Sequence, residues 1–408
     1  GIDDDGNGYV DDVVGWNFPE DNGMPADFPR GARGTMNAGI AAAATHNRLG
    51  VAGLSWGARI MPLKVLFPDQ NGLPQGYPDD VTEAVCYAAN NGARVIMIEG
   101  WFFEPALTAA KIVRMQEAIE FAHRRAGAVV VAPAGDCGDD APDWCPKGEG
   151  AVDAPIYPAH LPHVIGVQGV AAGSMLVHPN ASHGPWVGMA APGDGYYTTA
   201  LGSTYREVRY AEVSQAVSNF GAAHVAGAAA LLIGLDPSVS PLQVEDTLCR
   251  TANRTVGGPY PAVEGRFWND RYGCGILDVE KAAESMRWRA TMRPPKVVLF
   301  TDGQAPWPVV RFSSLNLNQG MWELRSEANW LKAGSVTQVV GQPAWAPVEA
   351  DLEALAIDVG PLLSGVEHAG VLQACPIPEA RGDCTAVSYR LRVVDRVTRL
   401  YLPWVGDR

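Results

Sequence analysis

Four short, nearly continuous apolar runs constrain this chain most: "RIMPLKVLF" (59–67), "RVIMIEGW" (94–101), "AVVVAPAG" (128–135) and "HVIGVQGV" (163–170). A strand buried on one face alternates apolar with polar residues, whereas a run that is apolar throughout belongs to a strand covered on both faces. Between or after them lie "PDDVTEAVCYAANNGA" and "ALTAAKIVRMQEAIEFAHRRAGA", amphipathic at helical spacing and stopped by glycine. This alternation predicts an α/β fold, a doubly wound, mostly parallel sheet with helices on both faces. In that architecture sites form beyond the carboxyl ends of the strands. A further stretch, "AVSNFGAAHVAGAAALL" (216–232), reads as a narrow Gly/Ala-rich helix entered through a polar turn.

From about residue 292 the pattern changes. "RPP" punctuates the chain, helical spacing disappears, and short alternating runs follow, among them "WPVVRFSSLNL", "AVSYRLRVVD" and "RLYLPW". These predict a separate, small all-β sandwich, so the expected domains are 1–290 and 291–408. With 408 residues, 47% of them hydrophobic, the chain is long enough for two cores. A net charge of −14 argues against nucleic acid and against anionic membranes as partners. No apolar run approaches the roughly 18 residues of a membrane span, and the longest, at 224–234, is broken by glycines, so no transmembrane segment is expected.

Six of the seven cysteines fall into short-range pairs: Cys137 with Cys145, Cys249 with Cys274 and Cys375 with Cys384. A disulfide at each would contribute about 2.5 to 3.5 kcal/mol through loop entropy, and Cys86 is left as a buried thiol. Paired loop cysteines predict a secreted, periplasmic or cell-surface protein; seven reduced thiols are the alternative. The opening "GIDDDGNGYV" carries neither a start methionine nor a signal peptide and reads as a processed or truncated end.

Several segments, taken in order, carry a resemblance. "GIDDDGNGYVDDVVGWNF", "GVAGLSWGARIMPLKVL", "YPAHLPHVIGV", "AAPG" and "HVAGAAALL" together resemble the subtilisin-like serine proteases (subtilases) over most of the first 287 residues. The resemblance implies that the narrow helix carries the nucleophile and runs close to the sheet. It also implies that the strand bearing the catalytic aspartate precedes residue 1.

The functional positions depart from the family's pattern one after another. Where the helix-opening motif has Gly-Thr-Ser, five residues before His224, this chain reads "VSN", which puts Asn219 at the nucleophile position. An amide nitrogen delocalised into its carbonyl is no alkoxide precursor, and Ser218, one residue off, is turned about 100° away. "RGTMNAG" stands for His-Gly-Thr-His-Val-Ala-Gly, so Arg33 occupies the position of the general base, and a guanidinium cannot accept a proton at neutral pH. Asp136 replaces the oxyanion-hole asparagine; in subtilisin itself, losing that donor costs about 3 to 4 kcal/mol. The substrate-edge segment, Ser-x-Gly in the family, reads Glu99, Gly100, Trp101. These departures predict a pseudoprotease that binds or scaffolds. The alternative is a divergent secreted serine hydrolase with residual activity, and Asp136 does resemble the oxyanion carboxylate of the sedolisins.

Further expectations attach to single features. Asp3, Asp5, Asn7, the Tyr9 carbonyl and Asp11 stand at the first five ligand spacings of an EF-hand-type loop, although Val14 holds the twelfth position, so the segment is either a calcium site or a solvated acidic turn. His224 is expected to be a satisfied interior histidine. Arg33 is expected to pair with Asp136, with Glu99 or with the aspartate of the strand that precedes residue 1 and so plug the cleft, or else to be solvated. Trp101, Phe102 and Phe103 are expected to be covered by another segment of the chain or by a partner, or to thicken the core. The segment from Trp322 to about residue 372 is similar to BACON-like bacterial β-sandwich modules, which implies glycan binding or a spacer role. A protein partner or homo-oligomer completes the reading.

Overall fold

The computed structural model describes residues 3–287 apart from 4–5, 29–31, 104–106, 139–144, 146–153, 211–216 and 264–265, and beyond 287 the backbone of strands alone. The chain divides into two compact units, Gly1–Ala283 and Glu284–Arg408.

The first unit is organised by a parallel four-stranded sheet: β1 (Val95–Met97), β2 (Val129–Pro133), β3 (Val164–Ala171) and β4 (Met189–Asp194), hydrogen-bonded in that order. All five residues of β2 are buried, as expected of a strand covered on both faces. On one face, helices α2 (Pro78–Asn90) and α3 (Ala109–Arg124) pack Val81, Val85, Met115, Ile119 and Ala122 against Val130, Ala132 and Ala134. Local chemistry supports these helices: Pro78 is pre-set for a first turn, Asp79 and Asp80 face the positive end of the helix dipole, and His123 and Arg124 end α3.

On the other face lie α1 (Arg33–Ala42) and α4 (Val217–Leu235), joined by a core of Met36, Ile40, Phe220 and Ala223. Helix α4 crosses the sheet and contacts all four strands. Its narrowness is what permits this: a Cβ on Gly221 would stand 3.0 Å from the Gln168 carbonyl oxygen, and one on Gly227 would stand 3.0 Å from Ala41 Cα. Helix α5 (Pro241–Thr251) starts with a reciprocal capping box between Ser240 and Gln243.

Two expectations are corrected here. The run 59–67 does not join the four-stranded sheet; Leu63–Lys64 pairs with Trp16–Asn17, and Leu66–Pro68 turns back on Pro74–Gly76. The apolar helix is also longer than its sequence suggests. At 19 residues with a mean hydropathy of 1.4, α4 is long and apolar enough by composition to cross a membrane, yet 78% of that window is buried inside the protein.

In the second unit the described strands form three sheets, the smallest a two-stranded antiparallel pair of Leu331–Lys332 with Ala356–Ile357. Trp322–Ser326, Glu367–Pro376, Thr385–Val393 and Lys296–Thr301 make one, in which only the last pairing is parallel. Ala290–Arg293, Val310–Ser314 and Val348–Leu352 make an antiparallel three-stranded sheet. The Cys375–Cys384 disulfide lies outside the described residues.

Two glycines of α4 separate close packing from helix propensity. Gly221→Val should lower the melting temperature sharply, because overpacking against strand backbone costs about 1–3 kcal/mol or more. Gly234→Ala, where an added Cβ meets nothing within 4 Å, should raise it slightly, by about 0.5–1 kcal/mol. Circular-dichroism melts of both variants test the placement of the helix.

Candidate functional site

The cleft beyond the carboxyl ends of β1 and β2 collects Arg33, Glu99, Asp136 and the start of α4. Asp136 follows β2 through Gly135 and is fully buried. Its carboxyl receives the Ser218 N–H at 3.2 Å and 3.4 Å and the Ser218 hydroxyl at 2.8 Å. It therefore caps the first turn of α4 from outside the helix, where unsatisfied N–H groups and the helix dipole favour an anion. Desolvation nevertheless dominates and pushes its pKa up to about 7, against the Ser218 hydrogen bonds and the nearby Arg33 charge, which lower it.

Asn219, the next residue of α4, is also fully buried. Its side-chain oxygen accepts the Gly100 N–H at 3.0 Å, and its amide nitrogen is enclosed with no partner among the described residues. Glu99, just before Gly100, accepts from Asn37 Nδ2 at 3.3 Å. Although the residue keeps some surface, its carboxyl is enclosed; desolvation pushes its pKa up to about 7, opposed by Arg33 and reinforced by Asp27.

Arg33 opens α1 half-buried and acts on both carboxyls through its field; among the described residues it makes no direct ion pair with either. The direct ion pair expected of Arg33 with Asp136 or Glu99 is not formed among the described residues. Asp27 orders the same turn by accepting from the Thr35 N–H at 2.7 Å and from the Thr35 hydroxyl. His224 is satisfied through Nδ1 by the Phe220 carbonyl at 2.9 Å and lies edge-on to Tyr196, and burial pushes its pKa down to about 4.

The aromatic segment is covered from within the chain. Trp101, Phe102 and Phe103 pack partly buried against the α2–α3 core, and Phe102 exchanges two backbone hydrogen bonds with Tyr157, at 2.8 Å and 3.1 Å.

Of the expected disulfides, Cys137–Cys145 is formed, with Cα atoms 5.6 Å apart, immediately after Asp136. Cys249 and Cys274 are not bonded in the structure; they are free thiols on the wall of one cavity, near enough to shift each other's pKa. Cys86 is a free, half-buried thiol as expected.

In the acidic loop the described side chains of Asp3 and Asn7 are engaged in local hydrogen bonds. Asp3 spends both carboxylate oxygens on the N–H groups of Gly6, Asn7 and Gly8, and Asn7 turns to the Tyr9 N–H and to Asp12. Asp5 lies outside the described residues. Among the described residues no group of three or more His, Cys, Asp or Glu side chains is placed to hold a metal.

Sequence reasoning missed Asn37, Asp27 and Tyr157. Asn37 had a signal: it stands where the family's motif has valine, and a polar residue on that apolar face needs a buried partner. Nothing local marked Asp27 or Tyr157, whose partners are set by tertiary approach.

The model of the "Subtilase family" matches residues 3–275. Thermitase of Thermoactinomyces vulgaris is 32% identical over 262 residues, 63% of this chain and 77% of that protein. A thermophilic serine proteinase of Bacillus sp. (strain AK1) is 30% identical, over 60% of this chain and 52% of that protein. Mycosin-1 of Mycobacterium tuberculosis is 30% identical, over 68% and 65%. This chain therefore spans less than two thirds of the length of the last two. Among solved structures, a lanthipeptide protease shares the fold at a TM-score of 0.51 and 21% identity, covering 67% of this chain and 81% of its own. MycP1 with its N-terminal propeptide removed does so at 0.50 and 23%, over 67% and 84%.

The two buried carboxyls set a pH dependence. Below about pH 4 both are protonated in the folded and unfolded chain and contribute nothing. As pH rises toward 7 the unfolded chain releases protons that the folded one retains, so stability falls across that window and levels off above it. Each pH unit costs about 1.4 kcal/mol per carboxyl. Asp136→Asn should therefore flatten the urea-unfolding profile between pH 4 and 7 and be more stabilising at pH 8 than at pH 4. A wild-type profile that rises over this range would contradict the assignment.

Proposed function

Because the chain belongs to the subtilase family, we propose that it is a catalytically inactive member, a pseudoprotease that acts as a binding or scaffold protein. One observation carries this reading: the Asp136 carboxyl lies on the first turn of α4, taking both the N–H and the hydroxyl of Ser218. In an acting subtilase that turn must present a nucleophile and leave donors free for the developing oxyanion. Here an acceptor occupies it. Asn219 brings no nucleophile, and its side chain is committed to Gly100. Arg33 brings no base.

Losing the nucleophile or the base alone removes about 10⁶ in rate in this class, and the losses do not multiply because the residues act as a unit. What survives such losses comes from the oxyanion hole and from binding. A carboxyl at Asp136 removes the first.

A second reading has one observation in its favour. A serine hydroxyl donating to a carboxyl whose pKa lies near 7 is the arrangement of a nucleophile and its base, and Ser218 with Asp136 has it. Such a pair would make the chain a divergent serine hydrolase. Both residues are wholly enclosed, which weighs against it.

An extracellular or surface location fits the Cys137–Cys145 disulfide, and a 28% identical relative of Dichelobacter nodosus is named an extracellular basic protease. The strands of the second unit support a β-sandwich module there, the BACON-like element foreseen from Trp322 onward, with a glycan or a protein as its partner.

A fluorophosphonate probe separates the two readings. The wild type should remain unlabelled, and Arg33→His combined with Asn219→Ser should still react poorly while Asp136 stays. Labelling of the wild type at Ser218, lost in Ser218→Ala, would establish the hydrolase instead.

A further inference from the structure

A cavity of about 380 Å³ in the first unit lies away from the cleft just described, walled by His160, His163, Glu245, Arg266 and both Cys249 and Cys274. The two cysteines come from different elements: Cys249 from α5, and Cys274 from the return segment after it.

Their approach is built. A single guanidinium bridges their backbones, Arg254 Nη2 donating to the Cys249 carbonyl at 2.7 Å and Nε to the Cys274 carbonyl at 2.8 Å. That guanidinium is itself seated over the Phe267 ring, 5.5 Å from its centroid. Cys274 is threaded between two glycines in the left-handed region, Gly273 at φ +57° and Gly275 at φ +131°. A Cβ on Gly273 would collide with the backbone of Gly188, and one on Gly275 would press the Asn253 carbonyl oxygen. The Cys274 N–H is held by the Gly188 carbonyl at 2.9 Å. The segment is thus pinned with Cys274 beside Cys249 on the wall of the same cavity.

We propose that Cys249 and Cys274 form an oxidisable dithiol, a modification site entered through this cavity by a small disulfide oxidant of the glutathione class. Cys249, the half-buried member, attacks one sulfur of the oxidant R–S–S–R, forming Cys249–S–S–R and releasing R–SH. Cys274, which is 3% exposed, then attacks the Cys249 sulfur, closing the Cys249–Cys274 bond and releasing the second R–SH. Two thiols are oxidised as one disulfide is reduced.

The local chemistry sets this order. The hydrogen bond from Cys274 holds the Cys249 thiol below its usual range against desolvation, with Arg266 and Arg254 assisting, while the same bond and burial push the Cys274 thiol up. The Cys137–Cys145 bond in the same unit is of the kind that forms where an oxidant of this class is at work.

The test uses the whole chain, briefly reduced, desalted and exposed to oxidised glutathione at pH 8, with differential alkylation and peptide mapping. The wild type should yield a Cys249–Cys274 linked peptide, with Cys86 still alkylatable, and should melt about 5–10 °C higher than before oxidation. Cys274→Ser should stop at a glutathione adduct on Cys249, and Cys249→Ser should leave Cys274 unmodified. Should either variant fail to fold, the wild-type time course still decides: transient glutathione on Cys249 followed by the internal bond supports the proposal. Alkylation of both residues after oxidation, or a glutathione adduct that persists on Cys249 in the wild type, overturns it.

Discussion

The contact between the Asp136 carboxyl and the first turn of α4 is the interaction on which the rest of the cleft depends. It ties the end of the most buried strand to the start of the helix that crosses all four strands. With that turn fixed, Asn219 holds Gly100, and the segment after β1 then presents Glu99 to Asn37 on α1. The end of β2, the segment after β1 and the two helices of one face are thus linked in series, with the acid at the head of the chain of contacts. The acid is held by donors and a distant cation, and because desolvation outweighs their combined effect it retains its proton up to about neutrality.

That balance gives the cleft an unusual electrostatic character. Two carboxyls and one guanidinium share a small volume, and with both acids protonated the trio carries a positive charge, whereas with both ionised it carries a negative one. Only Arg33 keeps its charge throughout. The charge of these three groups therefore falls as pH rises through the neutral range, beside the Asp27 carboxylate that already acts on Glu99.

Much of the first unit was legible in the sequence because its signals are properties of single segments. A run such as "VVVAP" declares a doubly covered strand wherever it lies, and glycines at 221 and 227 declare close approach on a helix. The run 59–67 was misread because apolarity says nothing about which partner a strand takes; two short local pairings absorbed it. Asn219 was located because the motif around His224 fixes its register, and Asp136 because it follows directly on "VVVAPAG". The enclosed asparagine at 37 and the bridge at Tyr157 depend on approaches between segments more than fifty residues apart, to which no spacing rule applies. The cysteines show both outcomes: one short-range pair closed, while the other came to line one cavity and stayed reduced.

The pairing of Phe102 with Tyr157 has a consequence for any extended polypeptide that approaches the cleft. An edge strand recruits a peptide by offering open N–H and C=O groups, and the affinity comes from closing them. Here two of those groups are already closed on the chain's own backbone. An incoming strand would have to break two hydrogen bonds before making its first pair, so backbone pairing at this point would add almost no net affinity. Recognition at the old groove would have to come from side chains, and so from sequence, where an open edge would have accepted any sequence in extended form.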